Sequence, residues 1–377
     1  MRRSNVATLQ DVANAAGVHV MTVSVVVNGA KSSTRVSDAT RTRILDAAAR
    51  LQYRPNAVAR GLLRGRMGMI GVVGIVHSGA ALNHYFHGVL DGILAGAFDL
   101  SQSTCILAIQ DWEADESKIL EFCDGCVDGI VLFAPQKLRP EFAETLRRRA
   151  PFVMVHSNDP APGVHDLEID DEDGAYTAVR YMIGCGHSRI AHFPGDLVRT
   201  GAQRRHHGYL RALADAGIAF DERWLFPGWF TFSSGEVRIR EMAERFAGEA
   251  SPTAIFCGND AVAFGCIERL ARNGIRVPDQ ISVMGFDDCL AASTTIPPLT
   301  TVRQPLRRMG QAAVHRLMAL VRSPSGVSGY TPDRSADAPP VLTPDPERWV
   351  EQFPVELVIR GSVAPPPGEP LRLRVSA

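Results

Sequence analysis

Long hydrophobic runs are missing from this sequence of 377 residues. No apolar stretch reaches the roughly 18 to 20 residues that a helix needs to span a bilayer. The two arginines near the start are not followed by the apolar segment and cleavage site of a secretory signal. We therefore expect a cytoplasmic protein without a membrane segment. The composition, 45% hydrophobic and 21% charged, is typical of globular proteins, and the length predicts two or three domains.

Cysteine is scarce, and its pattern does not suggest pairing. The seven cysteines are an odd number scattered between Cys105 and Cys289, which argues against a disulfide framework. The close pair in "CDGC", Cys123 and Cys126, lacks a second CxxC or a matched histidine pair, so we interpret it as structural rather than zinc-binding or redox-active.

Motifs that would indicate an enzyme are also absent. No GxGxxG or GxxxxGK[ST] follows a first strand, and no nucleophile elbow is present. The early run "GVVGIV" is typical of a strand rather than of a phosphate-binding loop. We expect no catalytic residue, no cofactor and no resident metal.

Charge is distributed unevenly along the chain. Residues 1–66 contain eleven Lys and Arg against three Asp, a balance of +8, whereas the remaining residues carry −9. A basic end joined to an acidic body indicates a polyanion as the partner of that end.

Three short helical patterns fill residues 8–50: "TLQDVANAAG", "VMTVSVVVN" and "SDATRTRILDAAARL". Thr8 is a suitable N-cap for the first helix, Gly17 ends it, and Ser37 caps the third. A helix, a glycine-centred turn and a second helix form a helix-turn-helix, whose second helix lies in the major groove of DNA. A small helical domain without a DNA role is the alternative that spacing and charge leave open.

The second helix of this unit combines apolar and hydrogen-bonding side chains. Val18, Val23, Val26 and Val27 are expected to pack on the neighbouring helices. The outward face is expected among Val20, Met21, Thr22, Ser24 and Val25. Thr22, Ser24 and Asn28 can hydrogen-bond to phosphates, and the surrounding arginines add attraction that does not depend on sequence. After "YRP", Asn56 can cap a short helix that ends near Gly61 and Gly65.

From about residue 67 the pattern changes to alternating strands and helices. Runs such as "MIGVVGIV", "DGIVLFA" and "QISVMGF" alternate with helical stretches such as "AVAFGCIERLARNG", which predicts parallel sheets covered by helices. The number of strands favours two similar lobes with a ligand cleft between them, at the carboxyl ends of the strands. The segment 323–349, rich in Pro, Ser, Gly and Asp, is predicted to be a disordered surface loop.

Long motifs occur in order along the whole chain. The amino-terminal part contains "TLQDVANAAGVHVMTVSVVVNG" and "VSDATRTRILDAAARLQYRPNAVARGL", and the body contains "VDGIVLF", "GHSRIAHFPG", "PTAIFCGNDAVAFG", "VPDQISVMGFDD" and "IPPLTTVRQPLRRMG". With these motifs the chain strongly resembles the LacI family of bacterial transcription repressors. This resemblance implies an α/β protein with a helix-turn-helix headpiece at 1–52, a hinge at 53–66 and a two-lobed core at 67–377 that is similar to periplasmic binding proteins. Lobe 1 is expected at about 67–187 and 305–321, and lobe 2 at about 188–304 and 350–362.

The resemblance also implies a homodimer on a double-stranded, near-palindromic operator. Val20 and Met21 would face bases, and Thr8, Thr22, Ser24 and Asn28 would contact the backbone. Leu62 would enter the minor groove from a hinge helix that starts near Asn56, unless it is simply a packing leucine. The chain departs from the family in having Val25 where "TVSRV" places an arginine, which predicts an operator with unusual half-sites or weaker discrimination.

For the effector, the resemblance implies a small molecule, a sugar or a nucleobase, in the cleft between the lobes. The residues that match the family's effector positions are Tyr85, Phe86, Asp173, Arg205, Phe230, Asn259 and Asp287. Arg205 and Asp287 would grip polar groups and Phe230 would stack on the ligand. Plainer roles stay open: Arg205 could pair with a carboxylate, Asp287 could cap a turn, and Phe230 could belong to the core.

The resulting hypothesis is a repressor whose operator affinity the effector changes, either lowering it or raising it. A solute-binding sensor without a DNA role is the rival of a different class, but the basic headpiece weighs against it.

Overall fold

The computed structural model describes residues 7–28, 35–56, 59–61, 65–75, 84–136, 138–157, 163–322 and 350–368. Leu62 and the segment 323–349, for which the sequence predicted a minor-groove contact and a disordered loop, lie outside these ranges. Within them, no helix combines the length and hydropathy needed to cross a bilayer.

The amino-terminal unit consists of three helices: α1 (Leu9–Ala16), α2 (Val20–Asn28) and α3 (Asp38–Arg50). Gly17 ends α1 in the left-handed region, at φ 62°, and its N–H donates to the carbonyl oxygens of Ala13 and Asn14. Glycine adopts this left-handed conformation without strain, so Gly17 can end α1 and turn the chain directly into α2. Val12, Val23 and Ile44, one from each helix, are completely buried at the centre, so the unit has its own core.

The body alternates strands and helices, as the sequence predicted. Its first part contains β1 (Met69–Ile75), α4 (His84–Asp99), β2 (Ser103–Ile109), α5 (Glu116–Phe122), β3 (Gly129–Phe133), α6 (Pro140–Arg149), β4 (Phe152–Val155) and β5 (His165–Ile169). The next part contains α7 (Asp171–Gly184), β6 (Ile190–Phe193), α8 (Thr200–Asp215), α9 (Phe232–Arg245), β7 (Ala254–Cys257), α10 (Asp260–Arg272) and β8 (Ser282–Met284). The last elements are β9 (Thr301–Arg303), α11 (Leu306–Arg322), β10 (Val350–Phe353) and β11 (Glu356–Val358).

Two separate parallel sheets define the two lobes. Lobe 1 has a six-stranded sheet in the order β10-β5-β4-β3-β1-β2, on which α4 and α11 pack together. Lobe 2 has the parallel sheet β6-β7-β8, and β9 pairs antiparallel with β11 beside it. Strands β3 and β4 are buried along their whole length, as expected for a parallel sheet covered on both faces. The predicted α/β class with two lobes is confirmed.

The boundary between the lobes differs from the one expected near residue 188. Helix α7 packs on α8 of lobe 2 so closely that a Cβ at Gly208 would lie 2.2 Å from the carbonyl oxygen of Glu172. The chain therefore crosses between the lobes at 169–171. Strand β10, expected in lobe 2, pairs in parallel with β5 of lobe 1 instead. A helix or an edge strand carries no local signal of which sheet it joins, so the sequence did not reveal either placement.

Candidate nucleic-acid interface and ligand cleft

The start of α1 is held by a reciprocal pair of hydrogen bonds. The N–H of Asp11 donates to the Thr8 hydroxyl at 3.3 Å, and the N–H of Thr8 donates to the Asp11 carboxylate at 2.8 Å. These bonds form a capping box, and the Thr8 hydrogen bonds lower the pKa of Asp11. The predicted N-cap is confirmed. Thr8 is also exposed, as a contact to the DNA backbone requires.

Helix α2 has an exposed side and a buried side. Met21 is 62% exposed, and Val20, Thr22 and Val25 are half-buried. Since residues four apart share a face of a helix, Met21 and Val25 lie together on the accessible side. This is the side on which a recognition helix reads bases.

Ser24 and Asn28 are buried, although helix geometry places them only about 60° and 20° from Met21 around α2. They are only 7% and 6% exposed, and like Met21 and Val25 they are four residues apart. The contacts to the DNA backbone predicted for these two side chains require an accessibility that the structure does not give them. The short apolar pattern of α2 did not predict this burial.

The connecting segment begins with an exposed asparagine. The N–H of Ala59 donates to the Asn56 side-chain oxygen at 3.3 Å, and the N–H of Arg60 donates to its carbonyl oxygen at 3.0 Å. Asn56 therefore caps the helical turn at 59–61, as the sequence predicted.

Arg205 lies where the chain crosses between the lobes. Its Nε donates to Asp171 Oδ1 at 2.7 Å, its Nη1 donates to the carbonyl oxygen of Gly258, and its guanidinium lies 4.1 Å from the centre of the Phe286 ring. The residue is 7% exposed, and burial raises the pKa of Asp171 despite the adjacent cation. The structure thus pairs Arg205 with a carboxylate and holds it rigidly at the carboxyl ends of β5 and β7.

Asp287 follows β8 and is 5% exposed. Gln304 Nε2 donates to its carboxylate at 2.7 Å. Burial raises the pKa of Asp287 well above its usual range, and the charge of Asp260 raises it further, whereas Arg205 lowers it. The backbone of Asp287 is in the positive region, at φ 131°. A buried acid near a fixed guanidinium can donate to or accept from an uncharged polar ligand.

Asn259 and Phe230 are joined by a hydrogen bond. Asn259 caps α10, because Val262 N–H donates to its side-chain oxygen at 2.9 Å, and its Nδ2 donates to the Phe230 carbonyl oxygen at 3.3 Å. Phe230 is half-buried, and its ring covers Gly195, where a Cβ would lie 2.5 Å from it. Asn259 follows β7, and Phe230 covers Gly195, which follows β6, so both residues lie at the carboxyl end of the lobe 2 sheet, on the side of the cleft.

The wall contributed by lobe 1 is aromatic. The Tyr85 ring lies 5.2 Å from those of Phe133 and His156, and the Phe86 ring lies 5.0 Å from Phe133. His156, directly after β4, was missed in the sequence. Burial lowers its pKa to about 3, with a further decrease from Arg205 and Arg204. Among the residues that the structure describes, neither of its buried ring nitrogens has a hydrogen-bond partner. With its lowered pKa, His156 is a neutral imidazole in this wall.

Asp173 is not brought to the cleft. Its side chain is 62% exposed and lies 3.3 Å from Arg211 on the outer surface of α7 and α8. Asp171, two residues earlier, is the acid that contacts Arg205. Two residues correspond to about 200° around a helix, so the two aspartates point in opposite directions.

Two polar contacts between the lobes were also missed in the sequence. In the amide orientation that satisfies both groups, the Gln136 oxygen of lobe 1 accepts from both terminal nitrogens of Arg199 at 2.6 and 2.8 Å. Arg204 of α8 forms an ion pair with Glu168 of β5. These groups are more than 30 residues apart in the chain, so no local motif signals them.

A helix-turn-helix unit followed by a two-lobed body with a polar cleft defines a DNA-binding regulator that senses a ligand. Two family models match the chain: "Bacterial regulatory proteins, lacI family" over residues 8–56 and "Periplasmic binding protein-like domain" over residues 179–363. The HTH-type transcriptional repressors PurR of Vibrio campbellii and of Erwinia tasmaniensis are both 34% identical to it. Each alignment covers 84% of this chain, and 92% and 91% of the respective relative.

Solved structures agree with this assignment. The Lac repressor dimer bound to operator and the anti-inducer ONPF has a TM-score of 0.76 at 28% identity, covering 95% of this chain and 99% of that one. The complex of the transcriptional regulator CelR with cellobiose has a TM-score of 0.65 at 25% identity, covering 94% and 99%. The chain belongs to the LacI family of bacterial regulatory proteins.

Proposed function

We propose that this protein is a homodimeric transcriptional repressor whose affinity for an operator is controlled by a small effector in the cleft between its lobes. The observation that carries the proposal is the pairing, in one chain, of an exposed recognition-helix face with a separate cleft that contains rigidly held polar groups. Binding of operator DNA implies a cytoplasmic location and requires no catalysis in the cleft.

On the DNA side, the proposal assigns base contacts to Val20, Met21 and Val25. It assigns backbone contacts to Thr8 and Thr22. The exposed Met21 supports this, because a large apolar side chain on a small basic domain favours contact with thymine methyl groups. Leu62 in the minor groove remains part of the proposal.

In the cleft, the proposal assigns hydrogen bonds to Arg205, Asn259 and Asp287, and stacking to Phe230 and Tyr85. Phe86 supports the Tyr85 wall from behind. This combination of donors, acceptors and ring faces suits a sugar or a sugar derivative, and two structural neighbours hold ONPF and cellobiose. A nucleobase-like effector is the second candidate, because stacked aromatic walls also suit a flat ring.

The homodimer is assigned to an apolar surface on lobe 1. Leu94 and Phe98 on α4 are 49% and 83% exposed, and Ile106 on the adjacent β2 is 48% exposed. An exposed patch of this kind is typical of a protein interface, and a Lac repressor neighbour is a dimer.

The proposed DNA binding can be tested by selecting genomic fragments with the full-length protein and titrating the bound fragments at several salt concentrations. Met21→Glu should lose at least tenfold in affinity, because a carboxylate would face the phosphates and bases. Ile359→Glu, an equally exposed position on lobe 2, should bind like the parent. If no fragment is retained at low salt, with or without metabolites, the proposal is wrong.

The proposed binding of an effector in the cleft can be tested by a thermal-shift screen of sugars, sugar acids, polyols and nucleobases. Asp287→Leu should weaken binding of the compound found by about 10- to 100-fold, the range for a lost hydrogen bond to a charged or buried group. Asp173→Asn serves as the control and should leave affinity unchanged. An equal loss in both variants would contradict the placement of the site. Ligand binding without any DNA retention would favour a solute-binding sensor instead.

A further inference from the structure

The end of lobe 1 opposite the cleft carries a basic cavity. It measures about 680 Å³ and is lined by Arg66 and Met67 of the connecting segment and by Arg147, Arg148 and Arg149 at the end of α6. The amino ends of β3, β4 and β5 form its floor, since Asp128, Pro151 and Val164 also line it.

The topology places this cavity on the side from which the headpiece extends. The chain enters lobe 1 just before β1, and Asp128 fixes the entry point by accepting from the N–H groups of Met67 and Gly68 at 2.6 and 2.7 Å. Arg66 Nη2 donates to the Val321 carbonyl oxygen at the end of α11. The three consecutive arginines of α6 therefore border the connector between headpiece and body.

The arginines are anchored but accessible. Glu144 holds Arg147 at 2.8 Å and Arg148 at 3.1 Å, and Asp124 holds Arg149 at 2.6 Å. Their side chains are 44%, 77% and 39% exposed. Exposed guanidinium groups suit an extended polyanion better than a small anion, which binds most tightly to buried and converging donors.

We propose that this end of lobe 1 is a second DNA-contacting surface, on which Arg147 and Arg148 bind backbone phosphates beside the operator. The body as a whole carries −9, so a cluster of arginines at its DNA-facing end runs against its general charge. The headpiece is itself strongly basic, which disfavours it as the partner of this cluster. The inference rests on the proposed DNA-binding function.

The test measures the affinity of the full-length protein for a selected genomic duplex that includes its flanks, between 50 and 200 mM salt. Each phosphate contact contributes about 0.9 to the slope of log affinity against log salt. Arg147→Gln/Arg148→Gln should reduce the magnitude of that negative slope by at least about 1.8, which corresponds to the loss of one phosphate contact on each protomer of the dimer. The fall in affinity over this salt range then becomes about tenfold smaller.

Two control variants separate phosphate contact from damage to the fold. Arg223→Gln/Arg272→Gln removes two exposed, ion-paired arginines from lobe 2, whose side chains are 53% and 57% exposed, and should leave the slope unchanged. Glu144→Gln removes the carboxylate but keeps both arginines, and should bind DNA as tightly as the parent or more tightly. If Glu144→Gln weakens binding as much as the arginine variant, α6 was merely disrupted and the inference is wrong.

The remaining outcomes are equally distinct. A parent protein that binds no duplex contradicts the proposed function itself. A parent that binds, with a slope equal to that of the arginine variant, contradicts only the second surface. Inorganic phosphate that raises the melting temperature of the parent but not of the arginine variant would assign the cavity to a small anion and overturn the inference.

Discussion

Arg205 and Asp171 form a buried ion pair across the junction of α7 and α8, with 2.7 Å between Nε and Oδ1. The side chains are 9% and 5% exposed. The same guanidinium also contacts Gly258 of lobe 2 and the Phe286 ring. The residue that the family resemblance assigned to the effector therefore also holds the crossover between the lobes together.

Replacing Arg205 with methionine should destabilise the protein by about 3 to 5 kcal/mol, because Asp171 would remain buried without its partner. Urea unfolding of the full-length protein measures this change. Arg211→Met on the same helix removes an exposed pair with Glu172, whose side chains are 42% and 38% exposed, and should cost less than about 1 kcal/mol. An equal loss in the free energy of unfolding for the two variants would show that Arg205 is not structurally important.

Asp260 should make a pH-dependent contribution to stability. Its carboxylate accepts from the Thr301 hydroxyl at 2.6 Å and from Cys289 N–H at 2.8 Å, yet burial raises its pKa to about 7. Because the folded state holds this proton more tightly than the unfolded state, the contribution is complete below pH 4 and is lost as pH rises toward 7. The free energy of unfolding of the parent minus that of Asp260→Asn should therefore decrease with rising pH, by up to about 1.4 kcal/mol per pH unit across that interval.

Urea midpoints of both proteins at pH 5, 6, 7 and 8 would measure this difference. A constant difference between pH 5 and 7 would contradict the raised pKa and would indicate that Asp260 is already ionised in the folded protein throughout this interval.

Val25→Arg should change which DNA the protein selects. Val25 lies on the accessible side of α2 with Met21, and an arginine there can grip guanine bidentately, worth about 1 to 3 kcal/mol of discrimination. Selection from randomised half-sites should give the variant a guanine-containing preference that the parent lacks. Identical half-sites and affinities would mean that residue 25 does not face a base.

Phe98→Glu should separate the dimer. The side chain is 83% exposed on lobe 1, so the substitution should not disturb the core of the monomer, whereas a pair of carboxylates in an apolar interface is unfavourable. Sedimentation should show at least tenfold weaker association, and operator affinity should fall with it. Ile359→Glu is the matched control; an unchanged dimer in Phe98→Glu would place the interface elsewhere.

The sequence by itself determined the helix-turn-helix, the caps at Thr8 and Asn56, and the alternation of strands and helices. These features depend on side chains within a few residues of one another, so capping chemistry, glycine and periodicity are sufficient to identify them. The family was also identified from sequence, because its motifs are long and occur in order.

Only the tertiary structure decided which polar residues meet. It paired Arg205 with Asp171, left Asp173 on the outer surface, and buried Ser24 and Asn28. It also placed β10 in lobe 1 and brought Gln136 to Arg199 across the cleft. Each of these outcomes depends on how a helix is rotated or on which sheet a strand joins. Those choices are set by the packing of distant segments, and no short window of sequence contains them.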